Sequence, residues 1–593
     1  MLNANISQVK LINYNCPNID IDNNKIKGNF IATKEAKERL QKLNSFIQSD
    51  IPILLEGPTG TSKTKTIQVL CDLLGKTLIR FNLSNETSTE DLIGRLGSSD
   101  EDSWSNFKFI PGPFSEAFIK GYILLLDEIN LGQKTVLQCM EAALDTGEIR
   151  QEIAGYGAIN FKKHPDFRLV ATQNPKSEGF TNQRDNLSEK LISRFTVMEF
   201  PPFKIEELKI IAEGIANKNN YTKKEIIDRI SNFHYQWVQE EKESQSSKVL
   251  FTVRDINSTI KSISKKKKPE NPSDAVVCFY GSRYKKKTLN YMNQILKEKY
   301  SILYKDLSLI PDLPNDFPEC FPNDSLKKAF FFALIAKRNK KHILLVGEKG
   351  NGLTQIAKWF SWYFAPKEKR KENFLFLFTP ETTVSDLIGK YTPKGESSSS
   401  GIIEWIDGPI TKAVKYGFSG VFDNISACPS KTIESINGLF DPKDTEEEQF
   451  FEIPQNTKEP KIEINEDFFF IGTCFLEDMD KLSPAFLNRF CVINLDDQLE
   501  GISEESEKSA INYIIKSISD DFQHNEKLIN EIHSIFKEKK LKISDLSKYT
   551  KACVRLLKIL EDKTQIKEIV QYMKDLILSK NKKKIKIPYF NSK

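Results

Sequence analysis

No two cysteines of this 593-residue chain stand in CxxC spacing. The nine lie scattered at 16, 71, 139, 278, 320, 428, 474, 491 and 553, with only five histidines beside them, so there is no zinc-ligand pattern. An odd, dispersed count suits a reducing compartment, and the expected location is intracellular, nucleus or cytoplasm. Long apolar runs are missing too. Residues 329–336 (AFFFALIA) are among the longest, far short of the ~20 a membrane span needs, and no membrane partner is expected. The opening MLNANISQVK has no basic stretch followed by an apolar one, so no secretory signal is expected. Nor does one sign of charge prevail. Lys+Arg number 86 against 81 Asp+Glu, a net +5, which excludes an acidic tail and lacks the positive excess of a protein that coats nucleic acid. No basic module with interleaved aromatics is visible, and direct sequence-specific nucleic-acid binding is not expected. Lysine runs at 265–268, 285–287 and 580–586 read as solvated helix ends and a terminus in a chain this rich in lysine. Nuclear-localisation or RNA-facing patches are the other reading of those runs.

What is present is apolar substance. Hydrophobic residues make up 39%, with 40 Phe, enough for several cores, and the length suits about four compact units at roughly 150 residues each. An internal repeat organises them. NETSTEDLIGRLG at 85–97 matches PETTVSDLIGKYT at 380–392, GPFSEAFIKGYILLLDEIN at 112–130 matches GPITKAVKYGFSGVFDNIS at 408–426, and LSEKLISRFTVMEF at 187–200 matches LSPAFLNRFCVINL at 482–495. Asp91 and Asp386, Asp127 and Asp423, and Arg194 and Arg489 each stand 295 or 296 residues apart, so one module is written twice.

Within the first module, apolar strands are predicted near 51–55, 78–83, 122–126, 167–172 and 196–200, separated by helices such as 63–74 and 132–146. That alternation means an α/β fold, a parallel sheet covered on both faces. Helical periodicity alone runs from about 204 to 265. The second module shows strands near 342–346, 374–379, 419–422 and 468–473, then helices from 504. The organisation read from this is an N-terminal extension at 1–29, a first α/β core at 30–202 and a helical lid with linker at 203–317. A second core follows at 318–497 and a second lid at 498–593.

The first core carries phosphate-site grammar. A strand runs into Gly57, Pro58, Thr59, Gly60, Thr61, Ser62, Lys63 and Thr64, and then a helix. Backbone N–H groups and the helix N-terminus can cradle phosphates, Lys63 can reach the β- and γ-phosphates, and Thr64 can ligate Mg²⁺. Ser62 stands where the pattern has its second glycine. The strand ILLLDE ends in Asp127 for the Mg²⁺ shell and Glu128 to polarise the attacking water. ATP and Mg²⁺ are the expected ligands.

This series of GPTGTSKT, TSTEDLIG, GPFSEAFIKG before LLLDEIN, and ATQNP before LSEKLISRF resembles the AAA+ ATPases of the dynein-related group over nearly the whole chain. Within the group the modules are similar to those of the midasins, which remodel pre-ribosomal particles. A midasin has six modules, a long linker, an acidic stretch and a metal-dependent adhesion domain. With two modules, a start Met and no DxSxS motif, the chain is expected to be a shorter relative, the alternative being a fragment of a longer protein. The fold so implied is two tandem AAA+ P-loop modules, each a parallel-sheet core followed by a small helical lid. The resemblance also implies roles. Asn174 corresponds to sensor 1, contacting the γ-phosphate or the water. Arg194 corresponds to the arginine finger and Arg254, in FTVRDI, to the sensor-2 arginine of the lid. Read as residues alone, Asn174 could equally cap a strand, and the two arginines could serve surface ion pairs.

The second module loses chemistry. Its loop, GEKGNGLT at 347–354, has Leu353 for the lysine, its acidic pair is Asp423-Asn424, and Phe475 falls where Asn174 would align. Hydrolysis is not expected there. Arg489 is kept at the finger position, and the expectation is that it serves the nucleotide held by Lys63, the alternative being that its turn persists for packing. The function this implies is ATP-driven remodelling of a protein or ribonucleoprotein assembly, with ribosome assembly suggested by the midasin likeness. The alternative is a nucleotide-gated scaffold with little turnover. Two modules cannot close a six-membered ring, so self-association or partner AAA+ modules are expected.

Overall fold

Strands whose residues are apolar on both faces can be satisfied only in the middle of a sheet covered by helices on either side. The computed structural model describes Ile21, Ile26, and residues 30–302 and 324–495 apart from 84–86, 99–106, 154–156, 175–186, 245–250, 266–268, 371–373, 394–402, 441–449 and parts of 454–460. It also describes the helix Glu526–Lys539 and isolated positions around it. Most of the N-terminal extension, the lysine run at 580–586, most of the run at 265–268 and most of the second lid lie outside the described residues.

The first core opens with α1 (Lys34–Gln48), β1 (Ile53–Glu56), α2 (Lys63–Leu74) and β2 (Leu78–Asn82). There follow α3 (Thr89–Leu92), β3 (Gly94–Ser98), β4 (Phe107–Pro111), α4 (Pro113–Lys120), β5 (Ile123–Asp127) and α5 (Lys134–Thr146). It closes with β6 (Glu148–Ile153), β7 (Gly157–Lys162), β8 (Arg168–Gln173), α6 (Glu189–Ile192) and β9 (Thr196–Glu199). The five strands of the sheet are parallel in the order β2-β5-β8-β1-β9. Alternate residues divide between two interiors. Ile53, Leu55, Ile123, Leu125 and Val170 pack with Leu40, Leu43 and Ile47 of α1 and Ile67 and Leu70 of α2. Leu54, Leu124, Leu126 and Ala171 pack with Phe114 and Phe118 of α4 and Val136 and Met140 of α5.

The first lid consists of α7 (Ile205–Lys218), α8 (Lys224–Ser244), α9 (Val253–Ile263), α10 (Pro272–Val276), a π turn at Val277–Gly281, and α11 (Lys286–Tyr300). Helix therefore continues well past 265. The second core repeats the first. Its elements are α12 (Asp324–Arg338), β10 (Ile343–Gly347), α13 (Leu353–Phe364), β11 (Leu375–Leu377), α14 (Val384–Ile388), β12 (Gly389–Pro393) and β13 (Ile403–Asp407). Then come α15 (Pro409–Tyr416), β14 (Ser419–Asp423), α16 (Ser430–Glu434), β15 (Phe450–Glu452), β16 (Lys461–Glu463), β17 (Phe469–Phe475), α17 (Pro484–Leu487) and β18 (Cys491–Leu495). The sheet order β11-β14-β17-β10-β18 reproduces that of the first module. The strand β18 and the four antiparallel hairpins β3–β4, β6–β7, β12–β13 and β15–β16 were not anticipated from the sequence.

The first lid does not stand alone. Its Ile256, Ile260, Val276, Cys278, Phe279 and Leu289 share one apolar interior with Ile343, Leu345, Ile471, Cys491 and Ile493 of the second sheet. Polar contacts stitch the same seam. Asn494 N–H donates to Ser282 O at 2.8 Å, Ser282 Oγ donates to Val492 O at 2.7 Å, and Cys278 Sγ lies 3.9 Å from Cys491 Sγ. Inside the lid, Arg283 pairs with Asp255 at 3.2 Å, both all but fully buried, and Lys341 of the second core reaches within 3.8 Å of the same carboxylate.

Candidate nucleotide site

The loop from Gly57 joins β1 to α2, and the carboxyl ends of β5 and β8 bring two more functional segments beside it. Among open α/β sheets this is where ligands bind. Ser62 takes φ 66°, the left-handed conformation, and its counterpart Gly352 in the second loop takes φ 74°. Serine thus keeps the loop geometry that glycine gives elsewhere, at a cost of roughly 1–2 kcal/mol.

Lys63 is buried, and its Nζ donates to Gly57 O at 2.6 Å, Pro58 O at 2.9 Å and Asn174 Oδ1 at 2.8 Å. The amide of Asn174 in turn donates through Nδ2 to the Glu128 carboxylate. One residue therefore bridges the loop lysine and the acid. Glu128 itself sits at φ 55°, a strained turn just past β5, with its N–H donated to Thr172 Oγ1 at 3.2 Å. Beside it, Asp127 Oδ1 accepts from Thr64 Oγ1 at 3.0 Å and Thr172 Oγ1 at 2.9 Å, while Oδ2 accepts from Arg80 Nε at 2.6 Å.

Hydroxyl and carboxylate oxygens are the hard donors Mg²⁺ prefers. Among the described residues no cluster of three or more His, Cys, Asp or Glu could hold a metal ion. An ion at Thr64 and Asp127 would need nucleotide oxygens and water to complete its shell, as Mg²⁺ commonly does.

The lid closes over the loop through Thr252, the N-cap of α9. Gly60, at φ 87°, lies directly beneath it. Arg254 follows on the first turn of α9, its backbone N–H donated to Thr252 Oγ1 at 3.2 Å, so the sensor-2 candidate sits at the lid edge nearest the loop. Arg194 lies elsewhere. Its guanidinium donates to both oxygens of Asp145, at 2.8 and 2.5 Å, and approaches Glu141 at 3.7 Å. Hydrogen bonding to Asp145 raises the Arg194 pKa, and the arginine holds the Asp145 carboxyl below its ordinary value. The ion pair open to Arg194 on sequence grounds is thus formed. Arg489 is buried in the turn between α17 and β18 of the second core.

In the second module Thr354 Oγ1 lies 2.9 Å from each oxygen of Asp423, and Thr473 Oγ1 donates to Oδ1 at 2.6 Å. Asn424 repeats the strained turn at φ 57°. Leu353 is buried at the lysine position, and Phe475 lies under the exposed Lys349, whose Nζ pairs with Glu477 at 2.5 Å. The register Leu345↔Thr473 and Leu55↔Thr172 aligns Phe475 with Asn174. Sequence reasoning missed Arg80, Thr172 and Thr252. A signal existed for Thr172 alone, since threonine recurs as Thr473 at the same place in the repeat.

This fold and site define a P-loop nucleotide-binding protein of the AAA+ class, built as two tandem modules. Residues 52–195 and 342–490 each match the AAA domain of the dynein-related subfamily, and the chain carries two domains of that family. Similar proteins include a midasin of Giardia intestinalis, 35% identical over 145 residues, and a midasin of Dictyostelium discoideum, 30% identical over 186. Those alignments cover 24% and 31% of this chain but only 3% of either midasin. The protein NorQ of Paracoccus denitrificans is 33% identical over 166 residues, 28% of this chain and 58% of NorQ. Among the described residues no helix is long and apolar enough to cross a membrane.

Proposed function

We propose that the first module binds and hydrolyses Mg²⁺-ATP and that the chain uses this cycle to remodel a protein or ribonucleoprotein assembly. The observation that carries the reading is the Lys63–Asn174–Glu128 chain beside the Thr64–Asp127 pair. Lys63 would exchange its loop carbonyls for phosphate oxygens, and Asn174 would hold Glu128 and the attacking water in line. Glu128 would accept the proton of that water. Mg²⁺, when bound at Thr64 and Asp127, supplies charge neutralisation between the β- and γ-phosphates.

In this reading the second module is structural or regulatory, because Leu353, Asn424 and Phe475 remove three groups that hydrolysis requires. Arg489 would act as a finger on an adjacent nucleotide, as would Arg194 once released from Asp145. Ring closure would come from self-association or from partner AAA+ modules, and the midasin likeness makes ribosome assembly one place for the work.

Steady-state ATPase activity tests this. Wild type should turn over, and Lys63→Ala and Glu128→Gln should each lose at least about 100-fold. A wild type that holds nucleotide through gel filtration without turnover would instead make the chain a nucleotide-gated scaffold. If Arg489→Ala matches wild type while Lys63→Ala is dead, the finger role of Arg489 is lost. Mass photometry with and without ATP reads the assembly.

A further inference from the structure

Asp127, the carboxylate placed for Mg²⁺, has three side-chain donors on it. Two of them, Thr64 and Thr172, recur in the second module as Thr354 and Thr473, with the same contacts to Asp423. The third does not. Arg80 pairs in the sheet with Leu125, and the residue in the same register of the second sheet, opposite Val421, is Leu375. The second module therefore builds its Thr–Asp–Thr arrangement with leucine at the arginine's register position, so Arg80 is not needed to aim the carboxylate. It is present only where the lysine, glutamate and asparagine of the reaction are also present.

We infer that Arg80 is a positioning residue that sets the Mg²⁺ requirement of the first site, by occupying Asp127 until the ion arrives with nucleotide. The inference rests on the Mg²⁺-ATP reading above. A guanidinium 2.6 Å from Oδ2 cancels much of the negative field that would draw a divalent ion to this carboxylate. The bond is charge-assisted and directional, so bare Mg²⁺ meets a neutralised site, whereas an ion already bound to a triphosphate brings phosphate oxygens that Arg80 can turn to. The geometry allows that turn. β2 is an edge strand and the Arg80 side chain is about a quarter exposed, at 27%, while Asp127 is buried. The ion and Arg80 repel each other across the same carboxylate. Removing the arginine charge should therefore favour the ion about three- to tenfold, as expected for a unit charge about 6 Å from a divalent ion in a water-like medium.

The test is a titration of Mg²⁺ into the full chain with a fixed concentration of a fluorescent, non-hydrolysable ATP analogue, which needs no turnover. Arg80→Gln and Arg80→Met should reach half-saturation at about three- to tenfold lower free Mg²⁺ than wild type. Arg80→Lys, which keeps the charge, should stay within about twofold. If either neutral variant melts like wild type yet needs the same or more Mg²⁺, the inference is overturned. If wild type itself shows no Mg²⁺-dependent binding, the reading beneath it falls first. A neutral variant that fails to fold, where Arg80→Lys folds, would also overturn it, since the arginine would then be holding the core.

Discussion

Thr252 rests on Gly60. A Cβ added to that glycine would lie 2.6 Å from Thr252 Cβ, so the lid touches the phosphate loop at a point where only a hydrogen atom fits. Gly60→Ala would meet both this clash and the left-handed φ of 87°. The variant should lower affinity for a fluorescent ATP analogue by about tenfold or more, by pushing the loop and lid apart at a combined cost on the order of 1–3 kcal/mol. Retained far-ultraviolet dichroism would show that the core survives.

Asn174 is the hinge of the proposed chemistry, because one amide holds both Lys63 and Glu128. Asn174→Ala should cut kcat by about 100-fold while leaving nucleotide affinity within a few-fold, since Lys63 keeps its reach to phosphate. Single-turnover hydrolysis beside equilibrium binding separates the two effects.

Arg283 and Asp255 form an ion pair buried at 3% and 1% side-chain exposure within the first lid. Arg283→Met leaves the carboxylate with the Thr252 N–H, 2.8 Å away, and Lys341, at 3.8 Å, among the described residues. Loss of one partner from such a pair costs about 3–5 kcal/mol. Urea unfolding should register that loss. Lys341→Met should cost less, and a double-mutant cycle should show the two cations coupled through Asp255.

His234 is buried in the lid, its Nδ1 2.8 Å from the phenolic oxygen of Tyr280. Burial pulls its pKa from 6.5 down to about 4, against the nearby Asp255 charge, which acts the other way. The unfolded chain therefore takes up a proton below about pH 6.5 that the folded lid refuses until about pH 4. Stability conferred by the neutral ring is complete above pH 6.5 and is lost as pH falls through that window, by on the order of 3 kcal/mol in all. Comparison of urea midpoints at pH 7 and pH 5 should show a smaller acid loss in His234→Gln than in wild type.

Much of the site was legible because its parts are local. The strand, glycine loop and helix around Lys63 follow one another in sequence, and α2 begins and ends where periodicity placed it. The Asp127-Glu128 pair and Asn174 each end an apolar strand, so their meeting follows from parallel order alone. Arg80 was not legible, since an arginine in an edge strand looks like any solvated charge until the register sets it against Asp127. The hairpins escaped notice for a related reason. Their strands are short and mixed in polarity, and antiparallel partners rather than periodicity hold them. The strand β18 was overlooked although CVINL repeats the position of TVMEF, a likeness the repeat already contained. The union of the first lid with the second core depends on contacts more than two hundred residues apart, such as Cys278 with Cys491.

That union gives the second module a mechanical meaning independent of its missing lysine. Because the first lid shares its interior with the second sheet, any tilt of α9 over the loop would carry the packed part of the second core with it, as a lever arm. The displacement grows with distance from Thr252, and it is set by stiffness rather than by chemistry at the far end. A lever has no need of a catalytic site, only of a firm joint, and the contacts among Ser282, Cys491 and Asn494 are what would hold such a joint.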